Sequence, residues 1–204
     1  MTWSQYWQRI KKNKKQKKLL KTWQRNGKPS PPPHIVKQRQ VKRFARLFNC
    51  SVFVETGTYK GEMIESVQDV FEKIYSIELD KCLFKRAREK FSGRNNILVL
   101  QGDSGIILAD ILKDLSSRIL FWLDAHYSGG ATASGEQKTP IEKELHTILE
   151  TSHSDSVILI DDARMFVGDN DYPTVPELRN LVLSKRPQVK IDIEDDIIQI
   201  VPQE

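Results

Sequence analysis

The sequence predicts an α/β fold: a doubly wound sheet of five parallel strands plus a C-terminal antiparallel hairpin, preceded by a basic helical arm. Three observations lead there. From residue 51, short and nearly continuous apolar runs alternate with amphipathic stretches, the pattern of parallel strands buried on both faces under helices. Each of the five runs ends in or beside a carboxylate. Finally, residues 1–50 hold 15 Lys and Arg but no Asp or Glu, so all 27 acidic residues lie in the remainder. The net charge of +5 thus averages a basic arm and an acidic body, and such asymmetry points to an anionic partner for the arm.

The arm comes first, at residues 1–27. Trp3, Tyr6, Trp7 and Ile10 fall at helical spacing, as do Leu19, Leu20 and Trp23, with KKNKKQKK between them. This reads as a basic amphipathic helix. Three uses of it compete: lying on an anionic membrane surface, contacting nucleic-acid phosphates, or packing its aromatics on the body. Residues 28–50 form a linker and a covering helix. The three prolines of KPSPPPH favour an extended segment, and IVKQRQVKRFARLF supplies Ile35, Val36, Val41, Phe44, Leu47 and Phe48 to cover a sheet.

The body, residues 51–204, then alternates. Strands are expected at Val52–Glu55, Ile74–Glu78, Ile97–Leu100, Ile119–Asp124 and Val157–Asp161, and helices at Gly61–Val70, Lys81–Phe91, Gly105–Lys113 and Ile141–Glu150. After a helix over Val175–Leu183, VKIDIEDDIIQIV reads as two strands joined at Glu194–Asp196. No stretch reaches the ~18 apolar residues of a membrane span, and the start lacks an apolar signal core. A cytoplasmic protein, peripheral to a membrane if the arm binds lipid, is the expectation. Cys50 and Cys82 carry no pairing motif.

In an open parallel sheet, ligands bind beyond the carboxyl ends of the strands. Those ends read VETGTYKGEM, SIELD, LQGDSG, LDAHYSGG and LIDDAR, a set suited to hydroxyls, amines and cations. In ETGTYKG, Gly57 permits a tight turn and Gly61 a close helix approach, and free N–H groups at a helix start can hold an anion. Tyr59 stands where a dinucleotide fingerprint has its second glycine, which argues against a pyrophosphate. Glu78 lies 23 residues after Glu55, where an acid would take a ribose diol, although either acid could instead cap a helix. In this order the signals point to a nucleoside bearing an amino acid.

ETGTYKG, IELD, QGDS, LDAHY and LIDDA, in sequence, resemble the class I S-adenosylmethionine-dependent methyltransferases, with a Rossmann-like sheet. The E-x-G-x-Y-x-G form and the acid closing strand four are similar to the small metal-dependent O-methyltransferases of the catechol and caffeoyl-CoA type, and Asp161–Asp162 to the macrocin-type enzymes. The whole chain, PPPH and LDAHYSGG included, also looks like uncharacterised bacterial methyltransferase-like proteins. The resemblance implies that Glu55 and Gly57 lie along the methionine part of the cofactor, with Thr56 and Thr58 nearby and Gly61 in the same cofactor-binding turn. It further implies that Glu78 holds the ribose, that Asp103 and Ser104 face the adenine, and that Asp124, Asp161 and Asp162 converge on Mg²⁺, an ion that favours hard oxygen ligands. Such an ion would lower the pKa of an acceptor hydroxyl.

One departure concerns the base. Catechol-type enzymes carry a lysine three residues after the strand-four acid, whereas this chain has Tyr127 there and His126 before it. His126 is the expected base or a further metal ligand, because its ordinary pKa suits proton abstraction near neutrality; satisfying local backbone groups is the alternative. The glycine-rich segment 128–140 suits a lid, or a plain surface loop. His34, His146 and His153 read as structural. DNDYP at 169–173 could cover the acceptor or cap the next helix. The expected function is methyl transfer from S-adenosylmethionine to a hydroxyl of a small polar acceptor, such as a sugar. The rival is an inactive module of the same fold, delivered by its arm to RNA or an anionic membrane.

Overall fold

The computed structural model describes residues 3–124, 139–151 and 155–203. His126, Tyr127, the body of the expected lid (128–138) and His153 lie outside the described residues. The element order is α1 (Trp3–Arg25), α2 (His34–Leu47), β1 (Val52–Thr56), α3 (Glu62–Val67), β2 (Lys73–Glu78), α4 (Lys81–Lys90), β3 (Ile97–Gln101), α5 (Ser104–Leu112), β4 (Ile119–Leu123), α6 (Ile141–Thr151), β5 (Val157–Ile160), a 3-10 turn at Ala163–Met165, α7 (Val175–Lys185), β6 (Val189–Glu194) and β7 (Ile197–Pro202). One seven-stranded sheet has the order β3-β2-β1-β4-β5-β7-β6. β1 to β5 are parallel, and β7 slots antiparallel between β5 and β6.

Alternation along the strands divides the core in two. Val52, Val54, Phe121, Leu123, Ile158 and Ile160 face the side covered by α5, α6 and α7. Phe53, Leu120, Trp122, Val157 and Leu159 face α2, α3 and α4. Near-continuous apolar runs are therefore required, since both faces of each central strand are dry. The sheet order reverses at the β1/β4 boundary, and the crevice beyond those strand ends is where ligands enter such sheets.

Local chemistry explains the joints. Asp80 caps α4, accepting from the N–H groups of Cys82 and Leu83. Thr174 and Glu177 form a capping box on α7. The β6–β7 turn places Asp195 and Asp196 at φ 53° and 63°, the paired positive values that a tight two-residue hairpin turn demands. Gly61, with φ 67°, is the N-cap of α3, so the helix starts at Glu62; it ends at Val67, short of the expected Val70.

The arm corrects one expectation. α1 is a single helix, but its apolar residues do not share a face. At 3.6 residues per turn, Leu19, Leu20 and Trp23 lie roughly half a turn round from Trp3, Trp7 and Ile10. Only the second group reaches the body: Trp23 is buried and its Nε1 donates to the Pro29 carbonyl at 2.8 Å, whereas Trp3 and Trp7 are exposed. Helical spacing within each group held no information about the phase between them. Among the described residues, no helix is long and apolar enough to cross a membrane.

A Cβ on Gly61 would come within 2.6 Å of Phe91 Cε2 at a φ that L residues disfavour. Gly61→Ala should therefore cost about 1–3 kcal/mol of stability, read in a denaturant titration. Gly93→Ala, with nothing within 4 Å of the added carbon, is the control and should leave the midpoint in place.

Candidate active site

The C-terminal edge of the sheet brings the six expected acids together in three groups. The first is a buried polar relay at the ends of β1 and β2. Glu55 is paired in register with Ser76 and accepts from its hydroxyl at 2.6 Å, while Ser76 Oγ lies 2.6 Å from Thr58 Oγ1. Glu55 is almost wholly buried. Burial pushes its carboxyl up to about 8, against the Ser76 bond and with added repulsion from Asp124 and Glu78. Glu55 therefore carries a proton at neutral pH.

Glu78, at the end of β2, accepts one backbone N–H on each oxygen: Tyr59 at 2.7 Å and Asp80 at 3.0 Å. That fixes the carboxylate plane while leaving each oxygen a further lone pair. Tyr59 presents its N–H by adopting φ 48°, uncommon for a residue with a bulky side chain. Gly57, at φ 87°, lets the β1 turn pass the end of β4: an added Cβ would meet the Asp124 carbonyl oxygen at 3.1 Å. Asp124 N–H donates to the Thr56 carbonyl at 3.2 Å, which locks the two strand ends side by side.

The second group centres on Glu144 of α6. Asp103 caps α5 by accepting from Gly105 N–H at 2.8 Å, and Ser104 donates to Glu144 Oε1. Glu144 Oε2 and Thr56 Oγ1 are buried without a hydrogen-bond partner, although each feels the other. Burial raises the Glu144 carboxyl to about 7, partly offset by Ser104 and Thr56. Glu144 escaped the sequence reading, although the signal was there. It falls among Ile141, Leu145 and Ile148 on the apolar face of its helix, and a charge in that position asks for a partner.

The third group is Asp124, Asp161 and Asp162, whose oxygens lie within 4.8 Å of one another. Asp162 occupies φ 55°, ψ 51°, a left-handed conformation that turns the chain sharply after β5 and brings consecutive carboxyls into one cluster. In donor chemistry the set suits a hard cation. The structure already supplies two, however. Lys37 Nζ of α2 lies 2.5 Å from Asp161 Oδ2 and 3.4 Å from Asp162 Oδ1. Arg164 donates to Asp162 Oδ1 at 2.6 Å and also pairs with Asp196. Asp161 Oδ1 accepts the Asp162 N–H at 2.9 Å, so both of its oxygens are engaged. As arranged, the cluster does not fit a divalent ion unless Lys37 leaves. Neither cation was anticipated; no spacing rule links position 37 to positions 161 and 162.

Tyr172, from DNDYP, packs edge-on to Phe166 with ring centroids 5.3 Å apart. Its phenol is pushed up by burial, is hydrogen-bonded by Thr139, and feels Asp162, Asp124 and Glu144. Tyr172 of the segment is thus buried, and Thr174, the residue after the segment, caps α7.

No family model matches the chain, and no curated protein does. Solved structures do. A putative caffeoyl-CoA O-methyltransferase from Staphylococcus aureus aligns over 98% of both chains at 14% identity, with a TM-score of 0.59. A Podospora anserina methyltransferase bound to S-adenosylhomocysteine covers 91% of this chain and 88% of its own at 17% identity, TM-score 0.58. An O-methyltransferase from Bacillus cereus, also with S-adenosylhomocysteine, covers 91% and 90% at 12% identity, TM-score 0.59. The chain has the class I methyltransferase fold and in it resembles the small O-methyltransferases.

The protonated Glu55 sets a pH dependence. Its folded pKa, about 8, lies above the ordinary 4.5, so its contribution to stability is whole below about pH 4.5. That contribution is lost as pH rises towards 8. Glu55→Gln should match the parent near pH 5 and exceed it by a few kcal/mol near pH 9, in paired thermal melts. A difference that does not change with pH would mean that Glu55 is ionised in the fold.

Proposed function

We propose that the protein is an S-adenosylmethionine-dependent methyltransferase acting on a hydroxyl of a small polar acceptor. The observation that carries this is Glu78, pinned by two backbone N–H groups at the end of β2 beside the close Gly57–Asp124 crossing. A carboxylate held so rigidly beside the β1 turn suits a ligand diol. Glu78 would hold the ribose hydroxyls, Gly57 and Thr58 would flank the amino-acid part, and Asp103 and Ser104 would stand at the adenine end. Thr56 Oγ1 and Glu144 Oε2, buried within reach of each other, offer further polar contacts.

Bound S-adenosylmethionine supplies an electrophilic methyl group. The chain's task is to orient the acceptor hydroxyl in line with it and to exclude water, which in a single displacement is mostly positioning. Asp124, half-buried at the end of β4, and Tyr172 line the acceptor side. His126 is the proposed base, two residues beyond Asp124 in sequence. Magnesium assistance, which the family resemblance implies, takes no step here, because Asp161 and Asp162 already bind Lys37 and Arg164.

We also infer that α1 binds nucleic acid rather than lipid. At 3.6 residues per turn, Trp3, Trp7, Lys11, Lys14, Lys18, Lys21 and Arg25 fall in one stripe about 80° wide, opposite Trp23. All seven are exposed. A helix lying in a membrane interface keeps its cations and apolar residues on opposite faces. Here they share one, as suits a strand whose phosphates meet lysines and whose bases stack on indoles. The like charges at i, i+4 also repel one another, and α1 has no acid to relieve them.

Two measurements test these readings. Calorimetric titration should give micromolar binding of S-adenosylhomocysteine and none of NAD, with Glu78→Ala weakening it about 10–100-fold. A folded protein that binds neither would remove the reading. For the arm, a single-stranded RNA oligomer should bind with a log–log salt slope of about −3.5, expected from about five phosphates. Replacing Lys11, Lys14, Lys18 and Lys21 with Gln should flatten that slope; binding to anionic vesicles but not to RNA would reverse the assignment.

A further inference from the structure

We propose that Lys37 is the resident cation of the carboxylate cluster, holding Asp161 and Asp162 where a divalent ion would otherwise sit, so that the crevice works without bound metal. Three features of the structure carry this. The first is contact: Lys37 Nζ reaches both consecutive aspartates, at 2.5 and 3.4 Å, with a side chain only 13% exposed.

The second is placement. Lys37 stands in the first turn of α2, whose N-cap is Pro33, with no acid in that turn. The N-terminal end of a helix repels cations, so the ammonium is held there by what it faces across the gap. The helix that delivers it is firmly seated: Val41, Phe44 and Ala45 are buried against Phe53 and Trp122, and Gln38 Nε2 donates to the Glu62 carbonyl at 3.1 Å.

The third is occupancy. Lys37, the Asp162 N–H and Arg164 between them occupy both oxygens of Asp161 and Oδ1 of Asp162, while Asp162 Oδ2 is buried outside these bonds. A divalent ion would have to displace a buried, hydrogen-bonded ammonium, and then share the cluster with Arg164. Asp124 is the member of the trio that neither Lys37 nor Arg164 is seen to bond, and it stands at the crevice mouth. Lys37 is on this view a positioning residue: it acts through Asp161 and Asp162, setting the field that an acceptor hydroxyl meets at Asp124. A mere staple between α2 and the sheet would show the same ion pair, but it makes no claim about metal.

The role in methyl transfer rests on the function proposed above; the exclusion of metal does not, and the test separates them. Mn²⁺ is titrated calorimetrically into the full chain and into Lys37→Met, which keeps the stem and removes the charge. Removing one partner of a buried pair leaves uncompensated charge, so the variant should gain one Mn²⁺ site, at least tenfold tighter than any in the parent and lost again in Lys37→Met with Asp124→Asn. The parent should take up no Mn²⁺ at millimolar concentration, and its turnover should be indifferent to a chelator, whereas Mn²⁺ should restore part of the variant's lost turnover. One-to-one tight binding of Mn²⁺ by the parent, or a folded variant that stays metal-free, would overturn the proposal. If the variant does not fold, the parent titration alone decides. If neither protein transfers methyl groups, the binding data still stand and the failure falls on the function.

Discussion

The crowding of carboxylates at one edge of a parallel sheet is the constraint around which this molecule is built. Five strands deliver acids to the same crevice, most of them buried, and unpaired buried charge is not tolerated. The structure meets this in three ways. Burial raises the Glu55 and Glu144 carboxyls to about 8 and about 7, each with a hydroxyl as partner. Glu78 stays open to the crevice end with two backbone N–H groups on it. Asp161 and Asp162 recruit cations from α2 and from the turn after β5.

This constraint also explains why the segment before the sheet belongs to the body. α2 does more than cover an apolar face, because it carries Lys37 to the far ends of β4 and β5. The hairpin turn is drawn in as well: Asp195 binds Lys28 and Gln40, and Asp196 binds Arg164. The linker, α2, the β5 exit and the last hairpin thus form one electrostatic network beneath the crevice, and α1 leaves the body only beyond Trp23. A basic arm and an acidic body are joined through the arm's own lysines and the body's own acids.

The strand ends were legible from sequence because both faces of a central parallel strand must be apolar, and the first polar residue after each run marks its exit. Asp124 and Asp161 were found this way, each one residue past the strand proper. The hairpin was legible from the acids at its turn, since Asp tolerates positive φ. Three things were not. The phase of α1's two apolar groups requires counting turns across the lysine run. The burial of Glu144 was written in its helix face but needs the helix to be placed before it reads as a partner for Ser104. Lys37 could not be found at all, because it meets Asp161 and Asp162 across 124 and 125 residues of chain through packing that no local pattern records.

On the proposed reading, one crevice pairs a nucleoside-binding edge with an internally neutralised acid cluster. Crystals grown with S-adenosylhomocysteine and Mn²⁺, measured at the manganese absorption edge, test both halves at once. The account expects ligand density running from Gly57 to Glu78, Lys37 Nζ among the aspartates, and no anomalous peak between them. A manganese peak bounded by Asp124, Asp161 and Asp162 with Lys37 swung away, or a crevice left without ligand, would contradict it.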